Sequence, residues 1–159
     1  MTFLHASALV VRETGVLIRG PSGAGKSALT LALLEACAHR SLYGALIGDD
    51  RIGLTVAAGR LVAAGHPAIK GMIERRGFGI EPADHEPRAL IGLVVDLVVD
   101  LAPTTPRVRI PDAAELVVDL ETVLVPRMEF GGFMDRAEKI SAVWSRIMRM
   151  ERHGLTGAF

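Results

Sequence analysis

The chain has 159 residues, of which 50% are apolar, so it is long enough for one compact domain with a core and too short for two ordinary domains. Its 18 basic and 18 acidic residues give a formal net charge of zero, which excludes a general electrostatic attraction to nucleic acid or to an anionic membrane. The single cysteine excludes a disulfide framework within the chain, and no apolar run resembles a signal peptide or a membrane span, so we expect a cytoplasmic protein.

The first 40 residues alternate between strand-like and helix-like patterns. Apolar runs at residues 5–11 and 15–18 flank Arg12-Glu13-Thr14 and predict a β-hairpin. The second run leads into a glycine-rich segment, after which residues 28–37 are good helix formers. Cys37 lies in this predicted helix, where we expect a small buried side chain rather than a nucleophile.

The rest of the chain is mostly strand-like until its last helix. Apolar runs that predict strands lie at residues 42–47, 50–57, 60–64, 90–101 and 116–125. Pro103, Pro106 and Pro111 predict a loop after the fourth run. Residues 134–152 predict a helix, and one stripe of it is apolar and suited to a core or a subunit contact: Ile140, Val143, Trp144, Ile147 and Met148. The pattern predicts a single α/β domain with a strand-rich middle and a C-terminal helix.

The glycine-rich segment carries the most specific motif of the chain. It consists of Gly20, Pro21, Ser22, Gly23, Ala24, Gly25, Lys26 and Ser27, which match the Walker A pattern GxxxxGK[ST]. Glycines allow the backbone to fold around phosphate oxygens and to point N–H groups at them, and the following helix adds the positive end of its dipole. We therefore predict a phosphate-binding P-loop, with Lys26 at the β- and γ-phosphates and Ser27 at Mg²⁺. The alternative is a strand-to-helix turn that binds nothing.

A nucleotide kinase site needs a further carboxylate. Asp49 and Asp50 follow a predicted buried strand, at the end where open α/β sheets bind ligands. Neighbouring residues of a strand point to opposite faces, so packing alone does not explain two adjacent acids there. Asp96 and Asp100, each preceded by apolar residues, are the alternative, but we favour Asp49 and Asp50.

These motifs, taken together, resemble a known family. His5, the segment GPSGAGKS, the run Gly48-Asp49-Asp50-Arg51 and residues 73–80, which read IERRGFGI, follow the order found in the catalytic domain of HPr serine kinase/phosphorylase. The Glu-x-Arg-Gly-x-Gly element within residues 73–80 is rare in other P-loop proteins. The resemblance covers residues 4–127, and the short length is similar to truncated members that lack the N-terminal domain. It implies a fold similar to the nucleotide-binding core of phosphoenolpyruvate carboxykinase.

The resemblance also implies roles for individual residues. The P-loop would bind ATP, and Glu74 would join Ser27 as a ligand of Mg²⁺. The base that accepts the proton of an acceptor serine is Asp49 by first preference, with Asp50 as the alternative. His5 would face the same phosphates and assist the proton transfer.

Two arginines complete the implied site. Arg76 would be the signature arginine of the family, with an ordinary salt bridge to Glu74 or Glu81 as the alternative. Arg109 would stabilise charge on the transferred phosphoryl group, with Arg107 as the alternative.

The chain also departs from the family pattern. Longer members carry a Gly-Arg-Asn element near the C-terminus that is associated with the reverse, phosphate-driven reaction, and residues 125–133 lack it. The position after Ser27, often acidic in the family, is Ala28. We therefore expect the kinase direction more than the phosphorylase direction.

The resemblance implies an ATP-dependent protein serine kinase that phosphorylates HPr, a small phosphocarrier of the phosphotransferase system, or a close relative of HPr. It also implies self-association, while the neutral net charge leads us to expect neither nucleic acid nor a membrane as a partner. Two alternatives remain. One is a small-metabolite P-loop kinase, which the length and neutral charge permit, although we find no arginine-rich lid between two helices. The other is a nucleotide-sensing module without turnover.

Overall fold

A computed structural model describes residues 2–99, 113–132 and 134–154. Within these ranges it has eleven strands, two α-helices and two short 3-10 turns at residues 67–69 and 113–116. The strands are β1 (Thr2–Leu4), β2 (Ala6–Val11), β3 (Thr14–Arg19), β4 (Gly44–Gly48), β5 (Ile52–Ala57), β6 (Arg60–Gly65), β7 (Met72–Arg75), β8 (Gly79–Pro82), β9 (Arg88–Leu97), β10 (Val117–Leu120) and β11 (Val123–Phe130). The helices are α1 (Lys26–His39) and α2 (Arg136–Arg152).

Nine of the described strands form one mixed sheet: seven follow the order β1-β5-β6-β9-β3-β2-β4, and β10 joins through β11, which pairs with β9. The long strand β9 runs parallel to β3 on one side, while β6 and then β11 pair with its other side. Strand β2 is antiparallel to both of its neighbours, β3 and β4. Strands β7 and β8 form a separate hairpin. The prediction of an α/β fold with a strand-rich sheet and a C-terminal helix is confirmed.

Both faces of the central strands are buried, which explains their continuous apolar runs. In β3, Val16 and Ile18 point into a core shared with α1 and α2, whereas Leu17 points into a second core under β5 and β6. Cys37 is 1% exposed in the first core, as the sequence predicted, and this burial raises the pKa of its thiol.

Helix α2 is fixed at several points along its length. Val143 and Ile147 are fully buried against the first core, and Met150 is 2% exposed. Near its C-terminal end, Glu151 forms an ion pair with Arg12 at 2.8 Å. At its start, Asp135 accepts a hydrogen bond from the Glu138 backbone in a reciprocal capping box. The first residues of α2 therefore have a defined position.

Several predicted boundaries differ from the structure. Helix α1 is longer than residues 28–37, and the strand predicted at 90–101 is β9, which begins at Arg88 and ends at Leu97. The run at 116–125 is interrupted by a turn at Glu121 and Thr122, whose φ angles are 53° and 69°, so it contributes to two strands. The predicted loop at Pro103, Pro106 and Pro111 lies outside the described residues. The described part of the chain has no helix that is long and apolar enough to cross a bilayer.

Candidate functional site

The order of the strands brings three predicted segments to one edge of the sheet. His5 immediately precedes β2, Gly20 follows β3, and Asp49 follows β4. Because β2 lies between β3 and β4 and runs antiparallel to both, the start of β2 lies beside the ends of its two neighbours. The topology alone therefore places these three residues close together.

The glycine-rich loop joins β3 to α1 in a conformation that requires glycine. Gly25 caps α1 with a φ of 94°, in the left-handed region. Gly20 has a φ of 155°, and a Cβ at this position would lie 2.7 Å from the carbonyl oxygen of Leu97. At Gly23 a Cβ would have no neighbour within 4 Å, so this part of the loop faces open space. The loop is thus tight against the sheet at its start and open on its outer side.

Lys26 begins α1 and is only 6% exposed. Its ammonium group donates to the carbonyl oxygens of Gly20 and Pro21, both at 3.0 Å. Burial lowers the pKa of Lys26, and the charges of Asp50 and Asp49 act in the opposite direction. A cation held mainly by neutral carbonyl groups at the base of an open loop is suited to an anionic ligand.

Asp49 is buried and holds the adjoining segments together. It is 5% exposed, and its carboxylate accepts hydrogen bonds from the hydroxyl groups of Ser7 at 2.5 Å and Ser27 at 3.0 Å. It also accepts a longer bond, at 3.4 Å, from the backbone N–H of Glu74. Asp49 therefore fixes the Ser27 hydroxyl and the strand that carries Glu74.

Asp50 has a different environment although it is the next residue. Its φ of 66° turns the backbone into the left-handed region, and its side chain is 67% exposed. One carboxylate oxygen lies 2.8 Å from Nε2 of His5, whose side chain is 50% exposed. The two adjacent acids are thus a buried structural carboxylate and an exposed carboxylate paired with an imidazole.

The β7–β8 hairpin forms another wall of the site. Ile73 is buried, and Arg75 bridges Glu81 of the hairpin at 2.6 Å and Glu35 of α1 at 3.1 Å. These contacts leave Glu74 and Arg76 exposed on the side of the glycine-rich loop. The ion pair to Glu81 that was the alternative for Arg76 is made by Arg75 instead.

Most predicted site residues meet in one open pocket of about 480 Å³. Those that line it are His5, Ser22, Gly23, Gly25, Lys26, Ser27, Asp49, Asp50, Glu74 and Arg76. Gly20, Pro21 and Ala24 belong to the same loop but do not line the pocket. Arg109, its alternative Arg107, and Asp100 lie outside the described residues.

Asp96, the alternative carboxylate, is bound by two arginines outside the pocket. It receives two hydrogen bonds from Arg19, both at 2.7 Å, and one from Arg127 at 2.5 Å, and it does not line the pocket. Burial alone would raise the pKa of Asp96, but the hydrogen bonds and charges of the two arginines outweigh burial and lower it. Asp96 is therefore an ionised partner of two arginines next to the start of the loop.

Several residues that line the pocket were not predicted from the sequence. Arg75 and Phe78 belong to the signature element but were given no role, and Phe78 is 86% exposed. Glu35 of α1 follows the glycine-rich loop by two helical turns. Arg136, the first residue of α2, is more than 100 residues from the loop in sequence, and no local motif marks it.

The oxygen atoms of the pocket suit a hard cation that is bound partly by the protein and partly by a ligand. Ser27 and Glu74 offer oxygen atoms on the two sides of the pocket. The described residues contain no cluster of three or more His, Cys, Asp or Glu side chains arranged to hold a metal. Mg²⁺ usually binds through one or two protein oxygens together with phosphates and water, so this sparse set fits Mg²⁺ bound with a nucleotide.

The fold and the site define an α/β protein with a glycine-rich loop between a strand and a helix, and with carboxylates at the same sheet edge. Residues 1–84, just over half of the 159, match the family model described as "HPr Serine kinase C-terminal domain". The chain therefore belongs to this family, and the resemblance indicated by its motifs is confirmed.

Individual relatives agree with this assignment. The chain is 46% identical over 76 residues to an HPr kinase/phosphorylase of Mycoplasma mycoides, a match that covers 48% of this chain and 22% of the relative. It is 37% identical over 79 residues to the protein of the same name from Clostridium tetani, covering 50% of this chain and 24% of the relative. The match thus spans less than a quarter of the length of these relatives.

A solved structure shows the same fold. The chain is similar to the structure titled as the Hpr(Ser) kinase/phosphatase from Coxiella burnetii, with a TM-score of 0.72 and 23% sequence identity. The similarity covers 95% of this chain and 99% of that one. It extends the agreement in fold beyond residue 84, into the part of the chain that contains β9, β11 and α2.

Proposed function

We propose that this chain is an ATP- and Mg²⁺-dependent protein serine kinase domain that phosphorylates HPr or a closely related phosphocarrier protein in the cytoplasm. The observation that supports this most is the convergence of the glycine-rich loop, an exposed acid–imidazole pair and the hairpin carboxylate Glu74 on one pocket. The relatives that match this chain are named as HPr kinase/phosphorylases.

The loop from Gly20 to Ser27 is proposed to act as a P-loop. Its backbone N–H groups and the N-terminus of α1 would bind the phosphates of ATP. Lys26, which donates to loop carbonyl groups at 3.0 Å, would exchange these bonds for phosphate oxygens. Similarity of this core to the nucleotide site of phosphoenolpyruvate carboxykinase stays a prediction.

Ser27 and Glu74 would hold Mg²⁺ between the loop and the hairpin. When bound there, the cation would neutralise charge that develops on the phosphates during transfer. Asp49 fixes the Ser27 hydroxyl at 3.0 Å and binds the backbone of Glu74, so it would keep both ligands at a constant separation. We therefore propose Asp49 as a positioning residue.

Asp50 is the better candidate for the catalytic base, which reverses our first preference. Its carboxylate is exposed in the pocket, whereas Asp49 already accepts three hydrogen bonds. Asp50 would take the proton of the acceptor serine hydroxyl as the serine oxygen bonds to the γ-phosphorus. The bond between the γ-phosphorus and the β–γ bridging oxygen would break at the same time, releasing ADP. His5, at 2.8 Å, would orient Asp50.

The remaining assignments rest on the family pattern. Arg76, exposed in the pocket, is proposed to bind phosphate, and Arg109, or alternatively Arg107, to stabilise the transferred group. The kinase direction is favoured because residues 125–133 lack the Gly-Arg-Asn element. A single catalytic domain and self-association also remain proposals.

The test is intact mass spectrometry of HPr proteins incubated with the chain, Mg²⁺ and ATP. The proposal predicts the addition of one phosphate to a serine, which is lost in Lys26→Ala. Arg60→Ala, a change at an exposed cation of the β5–β6 hairpin, should transfer as the unaltered chain does. Absence of transfer by a chain that still binds ATP would contradict the proposal and favour a small-molecule acceptor or a sensor without turnover.

A further inference from the structure

A second groove of about 510 Å³ lies between α1 and α2 and opens into the pocket described above. Ala32 and Glu35 of α1 and Arg136 of α2 line both the groove and the pocket. Small side chains such as Ala36 and Ser141 leave space between the helices, and Trp144 stands at the far end. The two cavities thus form one continuous depression along α1.

The depression runs along α1. It begins at Ser27, where the phosphates would bind, and continues to Arg40 at the end of α1. Thirteen residues of helix span about 20 Å at 1.5 Å per residue. An extended peptide of about six residues covers that distance. The depression is therefore long enough to hold an extended polypeptide segment.

The groove carries an excess of positive charge. Its only acidic lining residue among those described, Glu35, is already paired with Arg75 at 3.1 Å. Arg40 stacks 4.9 Å over the ring of Trp144 and donates to a backbone carbonyl, and within the described ranges it has no carboxylate partner. Arg136 also forms no ion pair with any described residue, and His39 lies on the same wall. Unpaired cations at both ends favour an acidic partner.

The position of Arg136 strengthens this argument. It is the first residue of α2, and a cation near a helix N-terminus is disfavoured by the helix dipole. The neighbouring acids Asp135 and Glu138 accept hydrogen bonds from each other's backbone in the capping box, and neither forms an ion pair with Arg136. Arg136 is therefore free to contact an anionic partner in the groove, which would also offset its unfavourable position near the helix N-terminus.

We infer that the groove between α1 and α2 docks an acidic segment of the protein that accepts the phosphoryl group, with Arg40 and Arg136 as its contacts. The inference rests on the proposed kinase function and adds the surface that would select a protein acceptor. Arg136, where the groove meets the pocket, would place the docked segment beside the acceptor serine. Trp144 and Ile140 would contact its apolar side chains.

The experiment measures binding of HPr by calorimetry and its phosphorylation, with ATP and Mg²⁺ present in the transfer assay. Arg40→Glu and Ser141→Glu place negative charge in the groove, and Arg60→Glu makes the same change of net charge as Arg40→Glu on the distant β5–β6 hairpin. We expect the first two variants to weaken HPr binding and raise its KM roughly three- to tenfold, because an exposed attraction is lost or a repulsion is added. In these two variants the KM for ATP should stay within twofold of that of the unaltered chain. In Arg60→Glu both HPr binding and the KM for HPr should stay within twofold of those of the unaltered chain. Ser141→Glu leaves the stacked Arg40 in place and so controls for damage to the fold.

The outcomes separate the two proposals. Transfer by the unaltered chain, with equal HPr affinity in all three variants, would overturn the docking surface and leave the kinase function standing. If Ser141→Glu instead reduces the oligomeric mass and leaves the KM for HPr unchanged, the groove is a contact between copies of the chain and the docking inference is wrong. No binding of HPr to the unaltered chain would overturn both proposals.

Discussion

The exchange Asp50→Asn separates a catalytic role of this residue from a structural one. Its contact with His5 is solvent-exposed, with side-chain exposures of 67% and 50%, so screening limits its contribution to stability to about 1 kcal/mol or less. Asparagine also tolerates the left-handed backbone at a φ of 66°. For a domain of this size we therefore expect the melting temperature to fall by less than about 4 °C.

The expected effect on transfer is much larger. A positioned general base contributes about 10²- to 10⁴-fold to the rate, which corresponds to about 2.7–5.4 kcal/mol of transition-state stabilisation. If Asp50 is the base, kcat for phosphorylation of HPr should fall by this factor while the affinity for ATP changes little. The loss in activity would then exceed the loss in stability several-fold, which a structural role does not explain.

Asp49→Asn is the matched comparison, because it is the same exchange at the adjacent residue. Asp49 is 5% exposed and accepts three hydrogen bonds, so we expect a loss of about 1–3 kcal/mol in the free energy of unfolding and a higher requirement for Mg²⁺. Steady-state kinetics and urea unfolding of both variants test the assignment. A folded Asp50→Asn variant that retains more than a tenth of the wild-type kcat would refute the reasoning.

Further predictions concern the structure around the site. Asp96→Asn should lower the free energy of unfolding at pH 7 by about 2–3 kcal/mol, because two partly exposed arginines lose their shared carboxylate. The pKa of Asp96 is lowered in the folded state, so its contribution to the free energy of unfolding is complete above its usual pKa of 3.8 and is lost as the pH falls through the folded-state pKa. The free energies of unfolding of the two proteins, measured with a chemical denaturant, should therefore converge in acid. A difference that stays constant with pH would contradict this. Ile147→Ala should cost about 2–5 kcal/mol in urea unfolding, since Ile147 is fully buried, and a loss below 1 kcal/mol would show that α2 is not packed as described. Arg75→Gln should raise the Mg²⁺ concentration for half-maximal transfer about tenfold, because Arg75 ties the hairpin of Glu74 to α1, and an unchanged Mg²⁺ titration would remove this role.

Much of the fold could be predicted because the decisive signals are local. Apolar runs predicted the β2–β3 hairpin and the separate strands β5 and β6, and the glycine-rich loop indicated the junction of β3 and α1. The turn at Glu121 and Thr122 was missed because both residues adopt positive φ without a glycine to indicate it. Strand order was also not predictable, because the pairing of β9 with β3 joins segments about 75 residues apart.

Some residues of the candidate site could likewise be predicted from local sequence, and others could not. Lys26 and Glu74 belong to short motifs that require particular residues at fixed spacing, so the sequence indicated them directly. The different environments of Asp49 and Asp50 depend on the backbone turn at Asp50, which the sequence does not show. Arg136 reaches the pocket only because α2 packs against the core shared with α1, so no local pattern could identify it.

The central claim is that the glycine-rich loop, Ser27, Glu74 and Asp50 form one phosphoryl-transfer site. The most direct measurement is a crystal structure of the chain with Mg²⁺ and a non-hydrolysable ATP analogue. The account predicts phosphates against the loop and Lys26, Mg²⁺ bound by Ser27 and Glu74, and the γ-phosphate facing Asp50. A nucleotide bound elsewhere, or a metal that contacts neither Ser27 nor Glu74, would contradict it.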